Sequence, residues 1–412
     1  TEHSINGGGL KFDYFSPNEK HRFNVFASAQ HINRDSYYGG GQDPNAYGNT
    51  TDLNWMAGSQ YVYSFGKCIF MPADLTAGIE FNQDKLEDNM WGYHRTVDQK
   101  VNIGSAFFQN EWKNEHWGFL IGGRLDKHNL IDHVIFSPRA NLRYNPTENI
   151  NLRFSYSSGF RAPQAFDEDL HVENVGGNVA MVELADNLKE ERSQSLSVSA
   201  DIYHRFGAFQ VNFLVEGFYT KLSDVFALTD GEIVDGILTR TRYNAPGARV
   251  MGLTLEGKMA YLTKFQLQAG ITLQQSHYSE PHVWNKEAPA VKKMMRTPNT
   301  YGYFTATYTP IKPLSIALSG TYTGSMLVPH EPVPGFLEKP ITVNTKDFFD
   351  IGLKAAYDFK LYKSMNLQVN AGVQNIFNAY QNDFDKGADR DSGYIYGPSL
   401  PRSFFAGVKI SY

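Results

Sequence analysis

The sequence predicts an all-β chain: a transmembrane antiparallel β-barrel of which about 17 strands are present. Three observations carry this. Segments alternate apolar and polar residues with the period of a strand, such segments recur from end to end of the 412 residues, and the connections between them alternate between short and long.

The alternation is cleanest at the end of the chain. Leu367, Val369, Ala371 and Val373 point one way, and Asn366, Gln368, Asn370, Gly372 and Gln374 the other. The last segment repeats it, with Phe404, Ala406, Val408, Ile410 and Tyr412 opposite Phe405, Gly407, Lys409 and Ser411. Comparable segments begin near 4–15, 21–33, 53–64, 73–82, 97–112, 115–127, 134–146 and 150–158. They continue at 193–206, 208–224, 247–262, 264–278, 298–310, 313–325, 346–359, 365–378 and 401–412.

Short connections hold turn formers, such as Asn145 and Pro146, Lys312 and Pro313, or Gly207. Long ones are expected at 34–52, 83–96, 159–192, 225–246, 279–297, 326–345 and 379–400, with a brief one near 128–133. Outer-membrane barrels have short periplasmic turns and longer outer loops, and a soluble sandwich has no reason to keep that asymmetry. Tyr412 is therefore expected on the periplasmic side and Thr1 outside. An odd count leaves an edge without a partner, which is costly in lipid, so an odd number of strands is expected before Thr1.

Composition agrees. No apolar run reaches the roughly 18 residues of a membrane helix, and the mean hydropathy is −0.41. A net charge of −5 without a basic run argues against a nucleic-acid partner. Cys68 is the sole cysteine, so no intrachain disulfide forms. No signal peptide is visible, and Thr1 points to mature or truncated material.

The stretch from Leu152 to Asp201 resembles the TonB-dependent outer-membrane receptors. An aromatic-rich strand leads to Gly159, Phe160, Arg161, Ala162 and Pro163, then a long loop, then Asn187, Leu188, Lys189, Glu190, Glu191, Arg192 and Ser193. The family's second box commonly reads Asn-Pro-Asp-Leu-Lys-Pro-Glu-Arg-Ser; here Ala185 and Asp186 alter its first half and Glu190 replaces a Pro. Val373, Gln374, Asn375, Ile376 and Phe377 before the last loop are also similar to the family, and the long loops look most like those of Bacteroidetes receptors. The resemblance implies 22 strands around an N-terminal plug, so that five strands, the plug and the TonB-contacting segment lie outside a single barrel domain spanning 1–412. It implies active import of a metal chelate (siderophore, haem or cobalamin) with energy delivered through TonB. A passive porin, or a nutrient transporter working with a surface lipoprotein, are the rivals.

Candidate site residues lie on the outer side. Of 12 His, nine fall there: His3, His31, His94, His128, His133, His171, His277, His282 and His330. His171 sits between the two boxes, where haem receptors similar to this family place a haem ligand; the other reading is a solvated loop residue. Asp383, Asp385, Asp389 and Asp391 around Gly387 have a spacing that could wrap calcium, although the helix-loop-helix calcium pattern is not met. Tyr37 and Tyr38, with Tyr47, could stack on a planar ligand. Arg161 could meet an anionic chelate or brace its loop. Neither Gly-x-Ser-x-Gly nor His-Glu-x-x-His occurs, so no enzyme is expected.

Overall fold

The computed structural model describes residues 1–37, 46–170, 172–175, 178–362, 364–398 and 400–412. Among them seventeen strands of nine or more residues form one sheet, each paired antiparallel with the long strand before it and the one after it. They run from Glu2–Phe15 to Ser403–Ser411, and all seventeen expected segments are found. No described pairing joins those two outermost strands, so the sheet has two edges.

The registers put the two faces where the alternation placed them. Leu367, Val369, Ala371 and Val373 lie opposite Ile410, Val408, Ala406 and Phe404, while Gln368 faces Lys409 and Gln374 faces Ser403. Likewise Leu253 pairs with Leu273 and Leu255 with Ile271, and Thr254 pairs with Thr272 through their hydroxyls at 3.0 Å. A one-residue slip would invert both faces, so a sheet with one apolar face specifies its register strongly.

At one end the strands are joined by turns of a few residues, for example Gly207 and Ala208 between Phe206 and Phe209. Aromatic rings cluster there. Trp117 stacks on Tyr144 with centroids 4.2 Å apart, Phe209 meets Tyr261 at 4.7 Å, and Tyr357 meets Phe359 at 4.6 Å. An aromatic girdle of this kind marks a membrane–water boundary.

At the other end the expected loops are in part strand. The 225–246 connection is no loop: Phe209–Val234 and Ile237–Tyr261 continue to a two-residue turn. Asp235 (φ 50°) and Gly236 (φ 77°) form it, because a tight hairpin needs two left-handed residues and Asp-Gly supplies them at low cost. Met71–Met90 and Arg95–Lys113 also run through most of the expected 83–96 loop. The brief connection after His128 is real, since Trp117–His128 and Ile135–Thr147 pair directly. Smaller strands decorate this end: Leu327–His330 pairs with Ile341–Asn344, and Asn178–Leu184 lies parallel to the start of Ile237–Tyr261.

Candidate ligand site at the outer end

The buried part of the molecule is concentrated at the end with the long connections, and much of it is charged. On the polar face, the Arg34 guanidinium donates to Thr50 Oγ1 at 3.1 Å, and the Thr50 hydroxyl donates to Asp88 at 2.5 Å. Arg95 donates to the other Asp88 oxygen at 2.5 Å and to the Leu170 carbonyl at 2.7 Å. Arg242 donates to Asp169, one residue earlier. The 162–190 loop is thereby pinned across the polar face by arginines from two distant strands. Charged groups this buried persist only when paired and hydrogen-bonded.

A second hub centres on Arg240. It donates to Glu173 at 2.7 Å, Asp230 at 3.0 Å and Glu331 at 3.0 Å, and Asn285 bridges Asp230 and Glu331. The Glu331 amide in turn donates to Asp391 at 2.9 Å. Five outer connections meet here. Burial drives the Glu331 carboxyl up to about 7; Asp230 and Asp391 push the same way, against Arg240 and Asn285.

His330 is buried, with Nε2 2.9 Å from Asp385 and its ring stacked on Tyr394 at 3.7 Å. Asp385 also accepts from the Asp391 amide, Asp391 accepts from the Gly393 amide, and Asp383 accepts from the Tyr396 hydroxyl. Burial and then Asp383 raise the Tyr396 phenol. Asp389 lies in the adjoining turn. Asp383, Asp385 and Asp391 thus spend oxygens on protein donors. Among the described residues no three His, Cys, Asp or Glu side chains gather to hold a metal ion.

Arg161 lies over the Phe166 ring at 3.9 Å and within 5.5 Å of Phe226, the geometry of a loop brace. Tyr37 meets Tyr47 at 4.9 Å and, with Trp91, lines an open depression of about 700 Å³. Tyr38 and His171 lie outside the described residues.

Two residues the sequence reading passed over stand out. Arg139, at mid-strand, and Arg153, three residues from the short-turn end, are exposed on the polar face, opposite Ser157 and Arg143 respectively, and among the described residues neither has a carboxylate within ion-pair distance. The available signal was an Arg at a polar-face position in each of two adjacent strands.

Residues 2–376 match the family described as TonB dependent receptor-like, beta-barrel. The chain belongs to that family. Among solved structures, the chain is similar to the siderophore receptor PirA from Acinetobacter baumannii (TM-score 0.73, 14% identity, 98% of this chain and 62% of that one). It is similar to a mutant of the ferric enterobactin receptor PfeA from Pseudomonas aeruginosa (TM-score 0.71, 16%, 98% and 61%). It is also similar to the ferric-catecholate import receptor Fiu from E. coli K12 (TM-score 0.67, 14%, 98% and 64%). The chain thus spans less than two thirds of the length of these receptors. No curated protein sequence matches it.

Proposed function

We propose that this receptor imports an anionic metal chelate, a ferric siderophore before haem or cobalamin, using energy delivered through TonB. We read the chain as the C-terminal part of a closed barrel completed by an N-terminal plug and further strands. The observation that carries the ligand class is the pair Arg139 and Arg153, which lie below the outer loops on the polar wall, at mid-strand and near the short-turn end, and which among the described residues have no carboxylate partner. Arginine's planar fork suits the oxygen-rich surface of a catecholate or carboxylate chelate. The solved receptors named above for siderophores and ferric catecholates support the reading.

The test uses the full-length receptor. Arg139→Ala with Arg153→Ala is expected to weaken ferric-siderophore binding about tenfold or more, the usual loss for charge-assisted contacts. Unchanged binding of every ferric chelate tried would refute the ligand class. Uptake that persists after the proton-motive force is collapsed would refute active import in favour of a passive channel.

A further inference from the structure

The apolar face ends abruptly at a row of cations. On Phe209–Val234 the apolar-face positions are Phe209, Val211, Phe213, Val215, Gly217 and Tyr219, and the next is Lys221. On Ile237–Tyr261 they run down from Met251 through Leu253, Leu255 and Met259 to Tyr261, and the position above Met251 is Arg249. On Phe265–His282, the column from Phe265 to Leu273 is followed by Gln275 and His277. Register brings these ends together: Lys221 pairs with Arg249, Arg249 with His277, and His277 with Lys293 of the short strand Val291–Lys293. Four neighbouring strands therefore present Lys221, Arg249, His277 and Lys293 side by side on one face.

Height follows from the same columns. From Phe209 to Tyr219 a strand rises about 33 Å along its own direction, which at a tilt of about 40° covers the roughly 25 Å of a barrel's apolar band. The aromatic residues at the short-turn end mark the inner boundary, so the cation row lies just beyond the outer one.

Like charges directly opposite one another destabilise a sheet. At Lys85, which pairs with Lys100, a carboxylate answers them: Glu87 lies at 2.5 Å. Among the described residues, Lys221, Arg249 and Lys293 have no carboxylate oxygen within 4.0 Å. Lys221 and Arg249 are exposed, and His277 and Lys293 partly so. We infer that this row is a binding surface for the phosphate-bearing headgroups of outer-leaflet lipid, seated on the rim between Tyr219 and the Val291–Lys293 strand. Each ammonium or guanidinium donates to phosphate oxygen, the His277 ring N–H adds a further donor, and the acyl chains lie against Tyr219, Met251 and Leu273 below.

The test is binding of lipid A, a diphosphorylated glycolipid, to the full-length receptor in phosphatidylcholine micelles, followed by intrinsic fluorescence. Each charge removed is expected to cost about fivefold in affinity, so Lys221→Gln, Arg249→Gln and Lys293→Gln together lose roughly a hundredfold. Lys85→Gln with Lys100→Gln is expected to bind as the parent does. So is Lys221→Arg with Lys293→Arg, which keeps the charges. Parent-like binding by the triple variant would overturn the proposal, as would equal loss in the Arg-retaining variant. Competition by inorganic phosphate at matched concentration would also overturn it, by making free phosphate the ligand.

Discussion

Replacing Glu331 by Gln is expected to make the outer loop assembly insensitive to pH across the window in which it is otherwise most sensitive. The folded carboxyl titrates at about 7, against 4.5 for the free side chain, because it is buried among Asp230 and Asp391. The folded state therefore binds this proton more tightly than the opened state. The associated stability is fully present below about 4.5 and is lost as pH rises through about 7. A difference of this size corresponds to about 3 kcal/mol. The event is local: Glu331 belongs to the connection carrying the Leu327–His330 and Ile341–Asn344 hairpin, which forms a sheet of its own. Amide hydrogen exchange of Val328 and Val343, corrected for intrinsic rates, is the assay. The parent is expected to lose protection between about pH 4.5 and pH 7, the span of the two values above. Glu331→Gln keeps a neutral, similarly shaped side chain beside Arg240, which retains Asp230 and Glu173. It is expected to exchange more slowly than the parent at the alkaline end. Faster exchange there would refute the reasoning, since the ion pair with Arg240 would then outweigh the burial of the charge.

Two further outcomes follow from the sheet. Val369→Arg places a charge on the apolar face about midway across the band and is expected to cost about 2 to 4 kcal/mol in an unfolding titration; Gln368→Arg, whose neighbour Asp358 already accepts from Gln368 at 2.9 Å, is expected to be near neutral. Equal losses would refute the register. Gly236→Val leaves ample space, since a Cβ there meets nothing within 4 Å, but puts a branched residue at φ 77°. It is expected to cost about 1 to 2 kcal/mol locally and to open the hairpin tip to proteolysis, whereas unchanged protection would show that the turn is not held in the left-handed region.

The membrane-level fold was legible because the solvent on each face dictates the residue at every second position, a rule that the last strands follow most cleanly, and all seventeen expected segments are strands. The outer extensions obey it less. Beyond Lys221 Val225 and Ala227 are buried, whereas Ile233 and Val234 near the tip are exposed and Leu228 breaks the alternation, so the segment reads as a loop. Asp235–Gly236 between Val234 and Ile237 was the overlooked sign. The charged hubs were less legible still. Arg240 meets Glu173 and Glu331 from positions 67 and 91 residues away, and nothing local to those residues marks them as partners. His330 was singled out as a ligand-binding residue, but its local sequence gave no hint that it would be buried against Tyr394 and Asp385.

Because each long strand's long-strand partners are only the one before it and the one after it, the sheet grows by whole hairpins. Inserting or deleting one hairpin changes the width of the sheet by two strands and reverses none of the others. Sheet width is then a quantity that evolution can adjust in fixed increments, with the outer loops carried along as interchangeable cargo on a wall whose grammar stays the same.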